Sequence, residues 1–259
     1  MSHHTIDFAD VHFDYPDGTR ALAGVSFHVT HGESIALVGA NGAGKSTLLS
    51  HLNGLLTPQQ GSVRVGEVPV TRSTLPAIRR TVGMVFQDPD DQLFMPTVYE
   101  DVAFGPMNAG FPAEEISRRV AQALSRVGAS ALRDRPPYRL SDGEKRAVAI
   151  ATVLAMSPNV LVMDEPSSNL DPRARRRLIG LLDSFEHTKM IATHDLDMAL
   201  ELCGRTIVLH RGTIAMDGPT RAVFSDEALL ERCGLEKPPG MRPCPVCGAT
   251  DDKKGTSPD

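Results

Sequence analysis

The chain has 259 residues, and 41% of them are hydrophobic, which is enough to bury the core of one large domain or two small ones. Its net charge of −5 argues against non-specific nucleic-acid binding, because domains with that activity usually present a basic face. The longest strongly apolar stretch, residues 147–156, is far shorter than the roughly 18 residues that span a bilayer, and no secretory signal is evident, so the cytoplasm is the expected compartment.

Alternating apolar and polar residues open the chain and predict antiparallel strands. Apolar residues occupy every second position on both sides of a Pro-Asp-Gly turn at residues 16–18: Val11, Phe13 and Tyr15 before it, and Val25, Phe27 and Val29 after it. This pattern predicts an N-terminal antiparallel β-subdomain.

A glycine-rich loop follows the next predicted strand. A continuous apolar run at residues 34–38 predicts a buried strand, and a helix is predicted by leucines at helical spacing: Leu48, Leu49, Leu52 and Leu55. Residues 39–46 between them match G-x-x-x-x-G-K-[ST], a loop whose N–H groups and helix N terminus surround phosphate oxygens. We expect this segment to bind a nucleoside triphosphate through Gly39, Asn41, Gly42, Gly44, Lys45, Ser46 and Thr47, with Lys45 on the β- and γ-phosphates and Ser46 on Mg²⁺.

The middle of the chain predicts an inserted α-helical subdomain at about residues 88–158. An amphipathic stretch at residues 113–127 places apolar side chains on one face: Ile116, Val120, Ala123, Leu124 and Val127. Further strands are predicted at residues 82–86, 160–163, 190–193 and 206–209, separated by helices. The fold class is therefore α/β with a mostly parallel core sheet.

Two carboxylates end the apolar strand at residues 160–163. Asp164 and Glu165 stand where open α/β sheets place their ligands, and strand alternation sends their side chains in different directions. Asp164 is predicted to hold Mg²⁺ together with Ser46, and Glu165 to act as the general base toward the attacking water.

Several short motifs resemble those of ABC-transporter ATPases in their order and spacing. Leu-Ser-Asp-Gly-Glu at residues 140–144 precedes a helix, and Ser-Asn-Leu-Asp at residues 168–171 and Thr-His-Asp at residues 193–195 follow the acidic pair. With Gln87 after its strand and Tyr15 near the start, the resemblance covers roughly the first 225 residues. Residues 141–144 also read as a capping box that would begin any helix, and both interpretations can hold together.

The resemblance implies that each chain carries two half-sites. Ser141 and Gly143 would bind the γ-phosphate of ATP held by a second chain, either identical or a paralogue, and Asp171 would link the two sites across the interface. Asp142 stands where the family usually has glycine, and since a carboxylate beside triphosphate is repulsive, its side chain is predicted to point away from the nucleotide.

The same resemblance assigns the remaining roles around the nucleotide. His194 would contact the γ-phosphate and hold Glu165, Gln87 would sense Mg²⁺ and the γ-phosphate, and Tyr15 would stack on the adenine. The expected catalytic residues are therefore Glu165, His194, Gln87 and Lys45, and the expected Mg²⁺ ligands are Ser46, Gln87 and Asp164.

Residues 87–94 and 97–106 are similar to the corresponding stretch of ATPases from energy-coupling-factor (ECF) importers. Residues 144–156 and 167–172 look most like the cobalt and nickel group of these ATPases. The resemblance implies an integral-membrane scaffold subunit, a solute-binding membrane subunit and a place on the cytoplasmic face of the membrane. An ATPase of a vitamin importer or of another ABC transporter is the alternative. An ABC ATPase acting on nucleic acid or ribosomes is less favoured, because residues 87–141 lack sustained heptads.

The end of the chain changes in composition. We expect one ABC ATPase domain at residues 1–240 and a flexible tail at residues 241–259. Cys244 and Cys247 in this tail form a C-x-x-C-G motif, which supplies half of a zinc site, and a pair of free thiols is the equally open alternative.

Overall fold

The computed structural model describes residues 4–242. The strands within this range are β1 (Ile6–Asp14), β2 (Arg20–Val29), β3 (Ser34–Val38), β4 (Gln60–Val65), β5 (Val68–Pro69), β6 (Val82–Val85), β7 (Val160–Asp164), β8 (Thr188–Ala192), β9 (Arg205–His210) and β10 (Thr213–Pro219). The α-helices within it are α1 (Lys45–Leu52), α2 (Leu75–Thr81), α3 (Val98–Asn108), α4 (Ala113–Arg126), α5 (Asp142–Leu154), α6 (Pro172–Asp183), α7 (Leu196–Leu202), α8 (Thr220–Ser225) and α9 (Glu227–Arg232).

The strands form two sheets. The smaller sheet is antiparallel, in the order β2-β1-β4-β5. The larger sheet has the order β10-β9-β3-β8-β7-β6, in which only the edge strand β10 runs antiparallel to its neighbour. The predicted fold class is therefore confirmed: a mostly parallel core sheet accompanies an N-terminal antiparallel sheet and a group of helices.

The antiparallel sheet follows from the alternation in the first two strands. Phe8 pairs with Phe27 across β1 and β2, and their rings stack with centroids 4.6 Å apart. Apolar side chains from alternate positions are buried against α1 and the larger sheet, because a strand with one apolar face must cover that face.

The core sheet brings the predicted functional segments to one edge. Strand β3 lies between β8 and β9 and is parallel to both, while β7 lies beside β8. Parallel strands end at the same edge of a sheet. The residues that follow β3, β7 and β8 therefore lie together: the loop at 39–46, the acidic pair at 164–165, and His194.

The inserted helices α3, α4 and α5 pack on one another. Helix α4 buries Ile116, Val120, Ala123 and Leu124, as its spacing predicts. It ends at Arg126, before Val127, where the chain turns through Gly128 at a φ of +70°. None of the helices in residues 4–242 is long and apolar enough to cross a bilayer.

The helix after the phosphate loop is shorter than its leucine spacing suggests. Helix α1 ends at Leu52, and Leu55 is 53% exposed instead of packing with the other leucines. The chain turns at Gly54, where φ is +68° and a Cβ atom would lie 2.0 Å from the side chain of Leu75. A left-handed glycine at this position ends the helix.

Candidate active site

The phosphate loop, residues 39–46, joins the carboxyl end of β3 to the N terminus of α1. Gly44 has a φ of +105°, and a Cβ atom on it would lie 2.5 Å from the carbonyl oxygen of Ala21. A Cβ atom on Gly39 would lie 2.3 Å from the carbonyl oxygen of Leu209. Because real Cβ atoms do not make contacts this short, both positions require glycine. The close approach of Leu209 and Ala21 thus fixes the path of the loop backbone.

Lys45 and Thr47 lie in the first turn of α1, where Lys45 contacts the phosphate loop and Thr47 contacts Tyr15. The buried Nζ of Lys45 donates hydrogen bonds into the loop, including one of 2.8 Å to the carbonyl oxygen of Gly39. Residues 41 and 42 form the exposed tip of the loop. The hydroxyl of Tyr15 lies 2.9 Å from Oγ1 of Thr47, and Tyr15 is 39% exposed, so an accessible aromatic side chain stands beside the loop.

Asp164, at the end of β7, has the features of a metal ligand. Burial raises the pKa of its carboxyl group, and a hydrogen bond with the side chain of Ser46 opposes that rise. Its Oδ1 atom is buried and has no hydrogen-bond partner among the residues that the structure describes. Hard oxygen donors of this kind suit Mg²⁺, and a buried oxygen without a partner calls for one. Asp164 and Ser46 therefore fit a magnesium ion.

Glu165 and His194 are in direct contact. Oε2 of the buried Glu165 accepts hydrogen bonds from the backbone N–H of His194 (3.1 Å) and from its Nδ1 atom (2.7 Å). Glu165 adopts a left-handed φ of 46°, and its N–H donates to the carbonyl oxygen of Ala192 at 2.8 Å. This backbone region is rare for residues other than glycine, and such strain clusters at functional sites. The fold thus turns the carboxylate of Glu165 toward the exposed imidazole of His194.

Ser141 caps the N terminus of α5. Its N–H and its hydroxyl donate to Oε2 of Glu144 at 2.8 and 2.9 Å, and the N–H of Glu144 donates back to Oγ of Ser141 at 3.4 Å. The predicted capping box is confirmed, and these hydrogen bonds lower the pKa of Glu144. Ser141 is exposed at the helix start.

Asp171 caps the helix that follows the Ser-Asn-Leu-Asp motif. Its Oδ1 atom accepts hydrogen bonds from the backbone N–H groups of Arg173 (2.8 Å) and Ala174 (2.9 Å) at the start of α6. The structure gives Asp171 a local role as a helix cap, and the link across an interface remains a prediction.

Gln87 follows β6 and lines a polar cavity of about 540 Å³. The acidic residues of this cavity are Asp88, Asp90, Asp91 and Asp142. Asp142 thus lies beside the segment of its own chain at residues 86–92, which we call the Gln87 loop. The ammonium of Lys145 contacts Asp90 of this loop at 2.7 Å. This position is compatible with the predicted orientation of Asp142 and does not test it.

Arg146 is a residue of this region that the sequence interpretation missed. Only 4% of it is exposed, and its guanidinium donates to the carbonyl oxygens of Phe86 (2.8 Å) and Gln87 (2.6 Å). The sequence contained one signal for its role: Arg146 directly precedes the apolar stretch at residues 147–156, and that stretch had to be buried. A charge at that position requires polar partners in the interior.

The zinc prediction falls outside the described residues, because Cys244 and Cys247 lie beyond residue 242. Within residues 4–242, no group of three or more His, Cys, Asp or Glu side chains could hold a metal ion. Cys203 and Cys233 are free and buried, and burial raises the pKa of Cys203 to about 12. Cys203 is therefore unsuited to thiolate chemistry.

Comparisons with known proteins agree with this geometry. Residues 22–168 match the family model described as ABC transporter. The chain is 64% identical over 248 residues to a protein of Geobacter sulfurreducens named as an ABC transporter ATP-binding protein, which covers 96% of this chain and 100% of that relative. It is 44% identical over 238 residues to the energy-coupling factor transporter ATP-binding protein EcfA of Methanocaldococcus jannaschii, which covers 90% of this chain and 85% of that protein.

A solved structure shares the fold over nearly the same range. CbiO1 from Clostridium perfringens, described as part of the ABC transporter complex CbiONQ, is similar with a TM-score of 0.77 and 38% identity, covering 89% of this chain and 94% of that one. The matched family model includes the phosphate loop, Gln87, the start of α5 and the acidic pair. The chain therefore belongs to the ABC transporter family as an ATP-binding subunit, whose hydrolysis of ATP is coupled to transport.

Proposed function

We propose that this chain powers an ECF-type importer and that the importer takes up cobalt or nickel. The observation that carries the ECF assignment is the 44% identity to EcfA over 90% of this chain. An exposed apolar patch in the segment that begins with Gln87, made of Phe94, Phe104 and Met107, supports a membrane partner. We call these three residues the apolar patch.

In the proposed mechanism, each side chain of the site has one task. The loop residues Gly39, Asn41, Gly42, Gly44, Lys45, Ser46 and Thr47 bind the phosphates of ATP, and Tyr15 stacks on the adenine. Ser46, Gln87 and Asp164 hold Mg²⁺, which neutralises phosphate charge when bound. Glu165 accepts a proton from the attacking water, and His194 keeps the carboxylate of Glu165 in position.

The proposal includes a second ATPase subunit, either identical or a paralogue. Ser141 and Gly143 stand at the N terminus of α5, where N–H groups and the helix dipole favour an anion. We assign them to the γ-phosphate of the nucleotide held by the other chain, with Asp171 at the interface. Ser141 and Gly143 of one chain would then complete the site that Lys45 and Glu165 of its partner form.

The apolar patch supports a partner in the membrane. Phe94, Phe104 and Met107 are 63%, 42% and 59% exposed, and the rings of Phe94 and Phe104 meet edge to face at 5.0 Å. Oδ1 of the buried Asp101 accepts hydrogen bonds from the N–H groups of Phe94 and Met95, both at 3.0 Å, which holds the loop that carries Phe94 against helix α3. A group of exposed apolar side chains is typical of an interaction site. We propose that a helix of the integral-membrane scaffold subunit binds here, on the cytoplasmic face of the membrane.

The cargo assignment rests on the relatives and on residues 144–156 and 167–172. EcfA and CbiO1 are the names of two proteins that are similar to this chain over most of its length. We infer a third component, a solute-binding membrane subunit, because an ATPase of this kind does not contact the solute. A vitamin is the alternative cargo.

We also propose the division of the chain into an ATPase domain at residues 1–240, with the helical subdomain at about 88–158, and a tail at 241–259. The Cys244 and Cys247 pair of the tail is a candidate zinc site. Zinc, nickel and cobalt analysis of the purified chain against a Cys244→Ser/Cys247→Ser variant tests it, and equal metal content in both would exclude the site.

The central experiment is copurification. The full-length chain, tagged and extracted from membranes in mild detergent, is expected to bring down a scaffold protein and a solute-binding membrane protein. Cells lacking the chain are then expected to lose uptake of labelled cobalt or nickel and to regain it with the wild-type chain but not with Lys45→Ala.

Three outcomes separate the parts of the proposal. If cells lacking the chain lose vitamin uptake but keep metal uptake, the importer assignment stands and the assigned cargo changes from a metal to a vitamin. Copurification with a single exporter-like membrane protein would overturn the importer assignment. Recovery of ribosomes or nucleic acid in place of membrane proteins would overturn the membrane role as a whole.

A further inference from the structure

We propose that Arg146 is a positioning residue that holds the Gln87 loop from helix α5 and thereby links the two half-sites of one chain. The inference rests on the roles proposed above for Gln87 and for Ser141 and Gly143. We call the two hydrogen bonds from the Arg146 guanidinium to the carbonyl oxygens of Phe86 and Gln87 the Arg146 clamp.

The clamp holds the backbone on both sides of the Gln87 Cα atom. One terminal nitrogen of Arg146 donates to the carbonyl oxygen of Phe86 at 2.8 Å, and the other donates to that of Gln87 at 2.6 Å. A planar guanidinium can bridge two acceptors with a fixed separation, whereas a lysine ammonium is a single point of charge. The two peptide groups that flank the Cα atom of Gln87 are therefore held by a residue on another element.

The clamp is buried, so it joins the two elements at a cost in desolvation free energy. Arg146 is 4% exposed, and its Nε atom has no hydrogen-bond partner among the described residues. Burial of a guanidinium carries a desolvation penalty that an apolar residue of similar size would avoid. The charge is offset by carboxylates in the surroundings: Asp88, Asp142, Asp164 and Glu165. An arginine in this position is explained by the geometry it imposes rather than by stability.

Two cavities border the buried clamp. Arg146 lines two cavities, the polar one of about 540 Å³ that contains Gln87 and an apolar one of about 470 Å³ between α5 and α6. Hydrogen bonds therefore join α5 to the Gln87 loop at the cavities, in addition to the apolar packing of α5 against β6. The side chain of Gln92 makes a second connection of this kind. It accepts a hydrogen bond from the N–H of Phe86 (3.1 Å) and donates one to the carbonyl oxygen of Ala149 in α5 (2.8 Å).

The clamp therefore connects two places that act on different nucleotides. Ser141 and Gly143 begin α5 and serve the nucleotide of the partner chain, while Gln87 serves the nucleotide of its own chain. Arg146 lies within the first two turns of the same helix. A displacement of α5 when the partner's nucleotide is engaged is transmitted to the backbone of Gln87 through the clamp.

A double-mutant cycle tests this role. Arg146→Met, Gln87→Ala and the double variant of the full-length chain, purified with its copurifying subunits, are assayed for kcat and for the Mg²⁺ concentration that gives half-maximal rate. We expect Arg146→Met to lower kcat by at least about tenfold and to raise the Mg²⁺ requirement, as Gln87→Ala does. In the Gln87→Ala background, Arg146→Met is expected to change kcat by less than about threefold, because it acts through Gln87.

Two further variants separate positioning from general damage. Lys145→Ala removes the neighbouring contact to Asp90, in which Asp90 is 64% exposed, and is expected to keep wild-type kcat within about threefold. Arg146→Lys keeps the charge and is expected to give an intermediate kcat; it replaces Arg146→Met in the cycle if that variant does not fold. Binding of a fluorescent ATP analogue should stay within about threefold in all of them, since residues 39–46 are untouched.

The outcomes distinguish the inference from the proposed function. If Gln87→Ala leaves kcat and the Mg²⁺ requirement unchanged, the role of Gln87 fails and the inference fails with it. If Gln87→Ala lowers kcat but Arg146→Met does not, only the Arg146 clamp is overturned. The same holds if both variants lower kcat and their effects multiply in the double variant. A loss of nucleotide binding in Arg146→Lys would also overturn it, because the residue would then act on the phosphate loop.

Discussion

At the scale of single residues, the contact between Glu165 and His194 is the most informative feature of the site. A carboxylate that accepts two hydrogen bonds from one neighbouring residue has its orientation fixed before any reaction begins. Its left-handed backbone adds strain that only the surrounding sheet can hold. A general base benefits from such preorganisation because its geometry must be correct before its basicity matters.

Glu165→Gln is expected to separate ATP binding from ATP hydrolysis. Glutamine keeps the shape and can still accept from His194, but it cannot take a proton, so the rate of hydrolysis should fall by about 10²- to 10⁴-fold. Nucleotide binding should persist, and ATP should trap a closed dimer that size-exclusion chromatography with the membrane subunits present detects.

Lys45→Ala provides the contrast, because it removes the ammonium beside the phosphate loop and should weaken nucleotide binding as well as hydrolysis. A Glu165→Gln chain that still hydrolyses ATP at close to the wild-type rate would remove Glu165 from the role of base. A chain that stays monomeric in saturating ATP with its partners present would contradict the two-half-site arrangement.

Sequence motifs predicted individual residues where chemistry restricts the choice of amino acid. The phosphate-loop glycines were predictable because a Cβ atom does not fit there, and the geometry at Gly39 and Gly44 agrees with that reason. The Arg146 clamp was not predictable, because its acceptors are backbone carbonyl oxygens about 60 residues earlier, and backbone groups leave no sequence signal. The backbone conformation of Glu165 was hidden for a similar reason, since strand alternation assumes a regular strand end.

At the scale of elements, helix α1 contains a buried histidine beneath the phosphate loop. His51 is fully buried, and its Nδ1 atom donates to the carbonyl oxygen of Thr47 at 2.7 Å. Its Nε2 atom has no hydrogen-bond partner among the described residues. Burial lowers the pKa of His51 below the ordinary value, so the imidazole is neutral in the folded protein.

The lowered pKa of His51 predicts a loss of stability in mild acid. The unfolded chain binds a proton at the ordinary histidine pKa of about 6.5, while the folded chain resists it, so the free energy of unfolding falls as pH drops below that value. Urea unfolding at about pH 7.5 and about pH 5.5 should show a smaller decrease for His51→Leu than for wild type. Equal decreases in the two proteins would show that His51 does not titrate on unfolding.

Periodicity predicted the existence of helices α4 and α1 better than it predicted their ends. The amphipathic stretch ending near residue 127 became α4, which stops one residue earlier. The leucine spacing after the phosphate loop predicted a helix through Leu55, but Gly54 ends it sooner. Apolar spacing continues past a helix end whenever the next loop also carries an apolar residue, so spacing alone cannot locate that end.

At the scale of the whole molecule, the order of strands along the core sheet could not be read from the sequence. Motif positions predicted a parallel sheet and the segments at its functional edge, and both are present. The antiparallel edge strand β10 was not predicted. A signal for it was present, because Gly212 lies in the two-residue turn between β9 and β10 with a φ of +77°, and glycine in such a turn favours a hairpin.

The apolar patch makes a prediction about assembly. Phe94→Ser combined with Phe104→Ser should leave folding intact, since both side chains are exposed, but should weaken binding of the membrane subunits by at least about tenfold. Copurification yield and the stimulation of ATP hydrolysis by those subunits measure the effect.

The matched control for this prediction is Leu55→Ser. Leu55 is 53% exposed and follows α1, outside the inserted helical subdomain, so it should retain full copurification. Equal losses in the control and the double variant would indicate a general effect of removing exposed apolar surface. Unchanged binding in the double variant would place the membrane contact on another surface.

The capping box at the start of α5 has a consequence for reversibility. A serine hydroxyl has one proton, and Ser141 donates it to Glu144 at 2.9 Å. If that proton is to reach a phosphate on another chain, as proposed, the bond to Glu144 must open first, although the N–H of Ser141 can keep its own bond of 2.8 Å. Closure then exchanges the hydrogen bond from Ser141 to Glu144 for one to the phosphate. Breaking the bond to Glu144 costs about 1 kcal/mol in each half-site, and reopening restores that bond. Each subunit therefore carries an internal competitor for its partner's nucleotide, which favours release at the end of every cycle.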